Sequence, residues 1–204
     1  MTRGASSDPV HKSLCWGTAI RPCSGELVSG DAIVTVAGDS ETLVAIIDGL
    51  GHGPEAHRAA ETAQHFLETS TERDVVALMA ALHEHLRGSR GAAAGICVVN
   101  ERTGAVRYAG IGNTVIRRFG CQETRLVSRD GILGENARTP SLQEMKLERG
   151  DVLLLYTDGI KDRFSLDDYR GVLFEEPAEI ARTMVERFGK DHDDAACIVL
   201  RYRP

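Results

Sequence analysis

The chain has 204 residues, a length typical of one domain with a sizeable hydrophobic core. Hydrophobic residues make up 42% and charged residues 26% of it, which excludes the disordered and fibrous classes of protein. The 24 Lys and Arg residues against 30 Asp and Glu residues give a formal net charge of −6. Because no run of basic residues forms a positive stripe, we expect neither nucleic acid nor a membrane among its partners.

The N-terminal sequence MTRGASSDPVHK lacks the apolar core of a signal peptide. No apolar run in the sequence approaches the roughly 18 residues that a membrane-spanning helix needs. We therefore expect a single cytoplasmic domain over residues 1–204.

The first half of the chain predicts a hairpin followed by two helices. Two short apolar runs, 33–37 and 43–47, flank a turn-like Gly-Asp-Ser-Glu segment and predict a β-hairpin. Apolar residues at helical spacing predict helices over 54–67 and 74–86, and Pro54 suits a first helical turn.

The sequence pattern predicts mostly strands in the second half of the chain. Apolar runs bounded by glycine-containing turns predict six strands, at 93–99, 105–111, 114–119, 141–147, 152–156 and 195–200. We expect the first three to form an antiparallel meander and the fourth and fifth to form a hairpin. The stretch 126–140 is predicted to be irregular, and the spacing of apolar residues predicts a helix over 177–188. Because strands and helices do not alternate as in parallel βαβ units, the pattern favours an α+β domain built on antiparallel sheet.

Acidic residues recur where strands are predicted to begin or end. Asp31 opens a strand, and Asp48 closes the next one inside the segment Asp-Gly-Leu-Gly-His-Gly. Asp158 follows the fifth strand of the second half, and Asp193 and Asp194 precede the last. If these strands are neighbours, the carboxylates converge and repel one another, and a bound cation relieves the repulsion. An all-oxygen site favours Mg²⁺ or Mn²⁺ over zinc, although one Asp-Gly pair alone is also an ordinary turn signal.

Four motifs carry a resemblance to a known family. The segment I-I-D-G-L-G-H-G-P-E-A around Asp48 resembles the metal-binding signature of the PPM family, the metal-dependent protein serine/threonine phosphatases. Gly30-Asp31, the T-D-G within 153–160, and Asp193-Asp194-Ala195-Ala196 resemble its other acidic motifs, in the same order and over essentially the whole chain. The short Asp-Gly-x-Gly-His-Gly form is similar to the bacterial sporulation and stress-response branch, especially its single-domain RsbX-type phosphatases of the stressosome.

The resemblance implies a four-layer α-β-β-α sandwich of two antiparallel sheets flanked by helices, with two Mn²⁺ or Mg²⁺ ions at one end. It also implies the ligands, with Asp48 bridging both ions, Asp31 and the carbonyl of Gly49 on one, and Asp158 with Asp193 on the other. Asp194, in the slot beside the last ligand, is expected to make a hydrogen bond or a water-mediated contact rather than to ligate directly.

The implied reaction is hydrolysis of phosphoserine or phosphothreonine, in which Asp48 and Asp158 act through the water that the two ions activate. His52 or another water could protonate the leaving oxygen, but a histidine in a glycine-rich loop is also typical of a structural hydrogen bond. The residue that grips the phosphate is not identified by a motif. Arg21 lies in the region where other branches of the family place that arginine, and a lone arginine is also typical of a solvated surface.

The resemblance implies phosphorylated regulatory proteins of the stressosome scaffold type as partners, and we expect the chain to be a monomer. Two alternatives stay open at this point. One is a catalytically silent binding module with the phosphatase fold, and the other is a hydrolase of small phosphate esters.

Overall fold

The structure, a computed structural model, describes residues 13–161 and 171–204. Ten strands lie within these ranges: β1 (Leu14–Arg21), β2 (Asp31–Ala37), β3 (Glu41–Gly49), β4 (Ala92–Asn100), β5 (Ala105–Ile111), β6 (Val115–Phe119), β7 (Thr124–Val127), β8 (Gln143–Lys146), β9 (Val152–Tyr156) and β10 (Ala195–Tyr202). Three α-helices lie there as well: α1 (Pro54–Thr69), α2 (Val75–His85) and α3 (Pro177–Phe188). A single turn of 3₁₀-helix covers Val172–Phe174.

The strands form two antiparallel five-stranded sheets. The first sheet has the order β1-β10-β9-β6-β7, and the second has the order β2-β3-β4-β5-β8. Neighbouring residues of one strand face opposite layers, as the period of a strand requires. Ile46 packs between the two sheets, whereas Ile47 packs under α1 and α2.

Three hydrophobic clusters define four layers. One cluster lies between the second sheet and the helices α1 and α2, a second lies between the sheets, and a third lies between the first sheet and α3. Leu155 belongs to the middle cluster, while Leu154 beside it belongs to the α3 cluster. The predicted α+β fold, a four-layer α-β-β-α sandwich, is confirmed.

Two predicted strand connections are wrong. The structure contains the hairpin β4–β5, but β6 lies in the other sheet, so the chain crosses between the sheets at residues 112–114 instead of continuing a meander. The strands β8 and β9 likewise belong to different sheets rather than to one hairpin. An apolar run indicates burial but not which face of the sandwich supplies it, so the sequence pattern does not distinguish these two arrangements.

Two strands were not predicted. β1 carries Gly17 at its centre, a residue that weakens a strand pattern. The helix α3 explains this glycine, because a Cβ atom there would lie 2.2 Å from the backbone nitrogen of Ala178. β7 overlaps the first two residues of the stretch 126–140, which was predicted to be irregular, and it forms an edge of the first sheet. No helix in the described parts of the chain is long and apolar enough to cross a membrane.

Candidate metal centre

The acidic residues that the sequence singles out lie at one end of the sandwich. Asp31 and Asp48 are direct partners in the pairing of β2 with β3, in the second sheet. Asp158 follows β9, and Asp193 and Asp194 precede β10, its neighbour in the first sheet. Both sheets therefore contribute carboxylates to the same end of the molecule.

Three of these residues share one cavity. Asp48, Asp158 and Asp193 line an open cavity of about 530 Å³, together with Asp130 and Asn113. The rest of its wall within the described residues consists of small or apolar groups: Leu50, Gly51, Ala93, Gly112, Gly131 and Ile132. The described wall thus carries four carboxylates and no cationic side chain. Such a cavity favours positively charged ligands.

Asp130 and Asn113 were not singled out as site residues by the sequence. Asp130 begins an Asp-Gly pair, the same signal as at Asp48 and Asp158, but it lies in the stretch predicted to be irregular. Asn113 lies where the chain crosses between the sheets. The sequence pattern predicted a hairpin turn at this segment.

Burial and mutual repulsion raise the pKa values of these acids. Burial, and then the charge of Asp48, raise the pKa of Asp31 well above its ordinary value. Burial and the charge of Asp158 raise the pKa of Asp48 to about 7, against a hydrogen bond from the Asn113 side chain that lowers it. Burial and Asp158 also raise the pKa of Asp193, and Lys190 opposes the shift. The carboxylates are therefore close enough to interact strongly, and a multivalent cation would remove the repulsion.

Thr157 holds Asp31 in place. Its Oγ1 donates a hydrogen bond to Asp31 Oδ2 at 2.7 Å and accepts one from the backbone N–H of Ala196 at 3.1 Å. The first contact joins the two sheets, because Thr157 follows β9 and Asp31 opens β2. It leaves the other carboxylate oxygen of Asp31, Oδ1, without a contact from Thr157.

Asp194 fixes a loop rather than facing the cavity. Its Oδ1 accepts a hydrogen bond from the backbone N–H of Cys23 at 2.8 Å, and its Oδ2 accepts one from the backbone N–H of Gly30 at 2.9 Å. Both oxygens of this buried carboxylate are therefore engaged by the connection between β1 and β2. Asp194 holds in position the residue that precedes Asp31.

Asp31 lies outside the described wall of this cavity and lines a second one of about 230 Å³, together with Ser29 and His57. His52, Gly49 and Arg21 also lie outside the wall. The His52 ring nitrogen Nδ1 lies 2.9 Å from Glu26 Oε1, and more than half of its side-chain surface is exposed. The backbone N–H of Gly49 donates to the carbonyl of Gly30 at 2.9 Å. Arg21 donates from Nη2 to the carbonyl of Lys190 and from Nη1 to Asp191, so its guanidinium joins two backbone segments.

The residues present fit divalent cations of the hard, oxygen-binding kind. The donor atoms are carboxylate oxygens from both sheets, and no histidine or cysteine lines the described wall of the cavity. Within residues 13–161 and 171–204, no group of three or more acidic, histidine or cysteine side chains is placed closely enough to hold a metal ion. The carboxylates would therefore have to move inward to bind one.

Comparison with known proteins decides the family. The model of the family described as stage II sporulation protein E (SpoIIE) matches residues 38–203, which is most of the chain. The chain belongs to the SpoIIE family. The phosphoserine phosphatase RsbX of Bacillus subtilis (strain 168) is 23% identical to this SpoIIE-family chain over 138 residues, or 67% of this chain and 69% of RsbX.

Two solved structures are similar over almost the whole SpoIIE-family chain. One is a structure from work on the bacterial stressosome, described as a modular system adapted to control secondary messenger signalling. The matching chain of that structure is 33% identical to this chain. The TM-score is 0.84, and the match covers 92% of this chain and 99% of that chain. The other is RsbX in complex with magnesium, 20% identical, with a TM-score of 0.81 over 93% of this chain and 95% of that one. The predicted membership of the PPM phosphatases, in the stress-response branch, is confirmed.

The cofactor class is confirmed at the level of the fold family. RsbX carries magnesium, and the catalytic domain of the serine/threonine phosphatase PstP carries two manganese ions in a structure that matches with a TM-score of 0.70 at 18% identity, over 94% of this chain and 99% of that one. The predicted enzyme class, a protein serine/threonine phosphatase, is confirmed by these relatives. The magnesium and manganese ions are those of the RsbX and PstP structures.

Proposed function

We propose that the chain hydrolyses phosphoserine or phosphothreonine on regulatory proteins, with Asp31, Asp48, Asp158, Asp193 and the carbonyl of Gly49 as the ligands of two divalent cations. The observation that carries this proposal is the cavity into which the ends of two sheets bring Asp48, Asp158 and Asp193. The raised pKa of Asp48 supports it, because a carboxylate held beside others without a counterion is poised to bind one.

Each proposed ligand has a distinct place. Asp48 is the central one, since it pairs with Asp31 in the second sheet and interacts with Asp158 from the first. This position suits a carboxylate that bridges two ions, with Asp31 and Gly49 on one side and the residues of the first sheet on the other. When bound, two divalent cations supply Lewis-acid activation of water and compensation of the phosphate charge.

Side chains behind the ligands orient them. The hydroxyl of Thr157 holds one oxygen of Asp31, and the amide of Asn113 donates to Asp48. Asp194 holds the backbone on the approach to Asp31 through two amide hydrogen bonds, so we assign it a positioning role. Such partners fix the ligand orientation and account for much of the metal affinity in other sites.

His52 is not part of the proposed machinery. Its ring is bound to Glu26, and it lies outside the described wall of the cavity. The exposed pair supports a role in fixing the loop between β3 and α1.

The proposed substrates are phosphorylated regulators of the stressosome type. The matching chain from the stressosome structure and the phosphoserine phosphatase RsbX support this class of substrate. We also propose that the chain acts as a monomer and in the cytoplasm, where regulators of this class are found.

The test is hydrolysis of a phosphoserine peptide by the purified full chain with Mn²⁺, against the same reaction with EDTA. The expected result is turnover that requires the metal and is lost in Asp48→Asn and Asp158→Asn, while Asp39→Asn, in the turn between β2 and β3, keeps it. Comparison with p-nitrophenyl phosphate separates a protein phosphatase, which turns over the peptide with the higher kcat/KM, from a hydrolase of small esters. Equal turnover with EDTA, or full activity of Asp48→Asn, would overturn the proposal.

A further inference from the structure

We infer that Arg90, at the rim of the cavity, binds the phosphate group of the substrate. This inference rests on the proposed function and adds to it the cation that the described wall lacks. A phosphate dianion that approaches Asp48, Asp130, Asp158 and Asp193 meets four negative charges. The ions neutralise part of that charge, and a guanidinium beside the cavity would bind phosphate oxygens in a bidentate manner.

The guanidinium of Arg90 lies directly against Gly51. A Cβ atom on Gly51 would be 2.7 Å from Nη2 and 3.2 Å from Cζ of Arg90, so the arginine side chain lies against this face of the glycine. Gly51 is itself part of the cavity wall and has a φ of 86°, in the left-handed region. The guanidinium of Arg90 is therefore in contact with a residue of the cavity wall, at the edge of the cavity.

The backbone beside Arg90 is fixed to the same loop. The N–H of Leu50 donates to the carbonyl of Gly91 at 3.1 Å. Gly91 also contacts the wall on a second side, since a Cβ atom there would lie 2.6 Å from Ile132 Cγ2. The connection between α2 and β4 is thus held against two cavity-lining residues, and the fold sets the position of the backbone beside Arg90.

Two other arginines around this end of the molecule already have acceptors, and the nearby lysine belongs to another cavity. Arg21 bonds the carbonyl of Lys190 and the carboxylate of Asp191. Arg138 lies 3.8 Å from Asp130, and Lys190 lines a different cavity, together with Asn113 and Asp158. Arg90 differs from them, because no hydrogen bond or ion pair in the described parts of the chain engages its guanidinium, which is exposed and available to an anion.

The experiment compares Arg90→Ala with Arg87→Ala in the full chain loaded with Mn²⁺. Arg87 is the matched control, because it lies on the same connection but its guanidinium bonds Glu84. We measure KM and kcat for a phosphoserine peptide and for p-nitrophenyl phosphate, and the affinity for inorganic phosphate by calorimetry. Arg90→Ala loses a charge-assisted contact to phosphate. We expect it to raise KM and to weaken the affinity for phosphate, each roughly 10- to 100-fold, with Arg90→Lys in between.

The outcomes separate this inference from the proposed function. If the unaltered chain hydrolyses the peptide while Arg90→Ala and Arg87→Ala bind phosphate equally well, the assignment of Arg90 is overturned and the proposed function stands. A loss confined to the peptide, with unchanged phosphate affinity, also overturns it, since Arg90 would then contact the protein part of the substrate. If the unaltered chain is inactive with Mn²⁺, the proposed function fails, and phosphate affinity alone decides the role of Arg90. Unchanged Mn²⁺ affinity and melting temperature show that Arg90→Ala keeps its fold.

Discussion

Thr157 Oγ1 donates a hydrogen bond to Asp31 Oδ2 at 2.7 Å, and this contact joins the two sheets at the end where the carboxylates meet. Asp31 is buried, and this donor lowers a pKa that burial and Asp48 raise. The hydroxyl therefore opposes part of this rise in pKa and fixes one carboxylate oxygen of Asp31, as partners behind a metal ligand do elsewhere.

Replacement of this hydroxyl tests its role. Thr157→Val keeps the shape of the side chain but removes the donor, so the Asp31 carboxylate becomes more basic and less well oriented. We expect Mn²⁺ affinity, measured by calorimetry at pH 7, to fall about 10- to 100-fold. Thr157→Ser keeps the hydroxyl and should stay within about threefold of the unaltered chain, and an unchanged affinity in Thr157→Val would contradict the role of the hydroxyl.

The neighbours Asp193 and Asp194 should respond differently to the same change. Asp193→Asn removes a carboxylate from the cavity wall, so we expect a large loss of Mn²⁺ affinity with little change in the melting temperature. Asp194→Asn replaces an acceptor of two backbone amides, and an Asn NH₂ group cannot accept the second. We expect it to lower the free energy of unfolding by about 1–3 kcal/mol and to lower metal affinity less than Asp193→Asn does. The reverse ranking in calorimetry would contradict the roles assigned here.

The metal-free protein should lose stability as pH rises. Burial and Asp158 raise the pKa of Asp48 to about 7 in the folded chain, so between its ordinary value and about 7 the folded state binds a proton more tightly than the unfolded state. The unfolding free energy is therefore largest at the acidic end of this window and falls as pH rises through 7. Asp31 and Asp193 shift in the same direction. Melting temperatures with EDTA should decrease from pH 5 to pH 8, less steeply in Asp48→Asn, and excess Mn²⁺ should restore stability at pH 8. A flat profile with EDTA would contradict the coupling of these carboxylates.

His52 should contribute little to catalysis. Its ring is paired with Glu26 at 2.9 Å and is largely exposed, and exposed pairs of this kind stabilise proteins by about 0–1 kcal/mol. His52→Ala and Glu26→Gln should therefore have similar, small effects, with kcat within about fivefold of the unaltered chain. A loss of kcat in His52→Ala alone, by two orders of magnitude or more, would identify His52 as the proton donor instead.

Local patterns predicted much of the fold, because periodicity and turn residues act over a few positions. The helix 177–188 and the strands 105–111 and 152–156 have the predicted bounds. The partner of each strand depends on contacts distant in sequence, so the crossing from β5 to β6 was predicted as a hairpin. β1 was not predicted for a similar reason. Its central Gly17 weakens the strand pattern, and the helix that requires a glycine there lies far along the chain.

Some residues of the candidate site are likewise indicated by local sequence patterns, and others only by the packing of the folded chain. Asp48 and Asp158 stand out because each follows an apolar strand and precedes a glycine. Asp194 has the same residue type as its neighbour Asp193, and only the direction of the backbone turns its oxygens onto the amides of another loop. Arg90 carries no motif at all, and its position against Gly51 arises from the packing of two loops.

The central claim is that Asp31, Asp48, Asp158 and Asp193 hold two divalent ions at one end of the sandwich. Anomalous scattering from a crystal soaked in Mn²⁺ tests it most directly. The account predicts two manganese peaks in the cavity, with Asp48 coordinated to both and Asp158 and Asp193 sharing the second. A single peak, peaks away from these residues, or Asp194 as a ligand in place of Asp193 would contradict it.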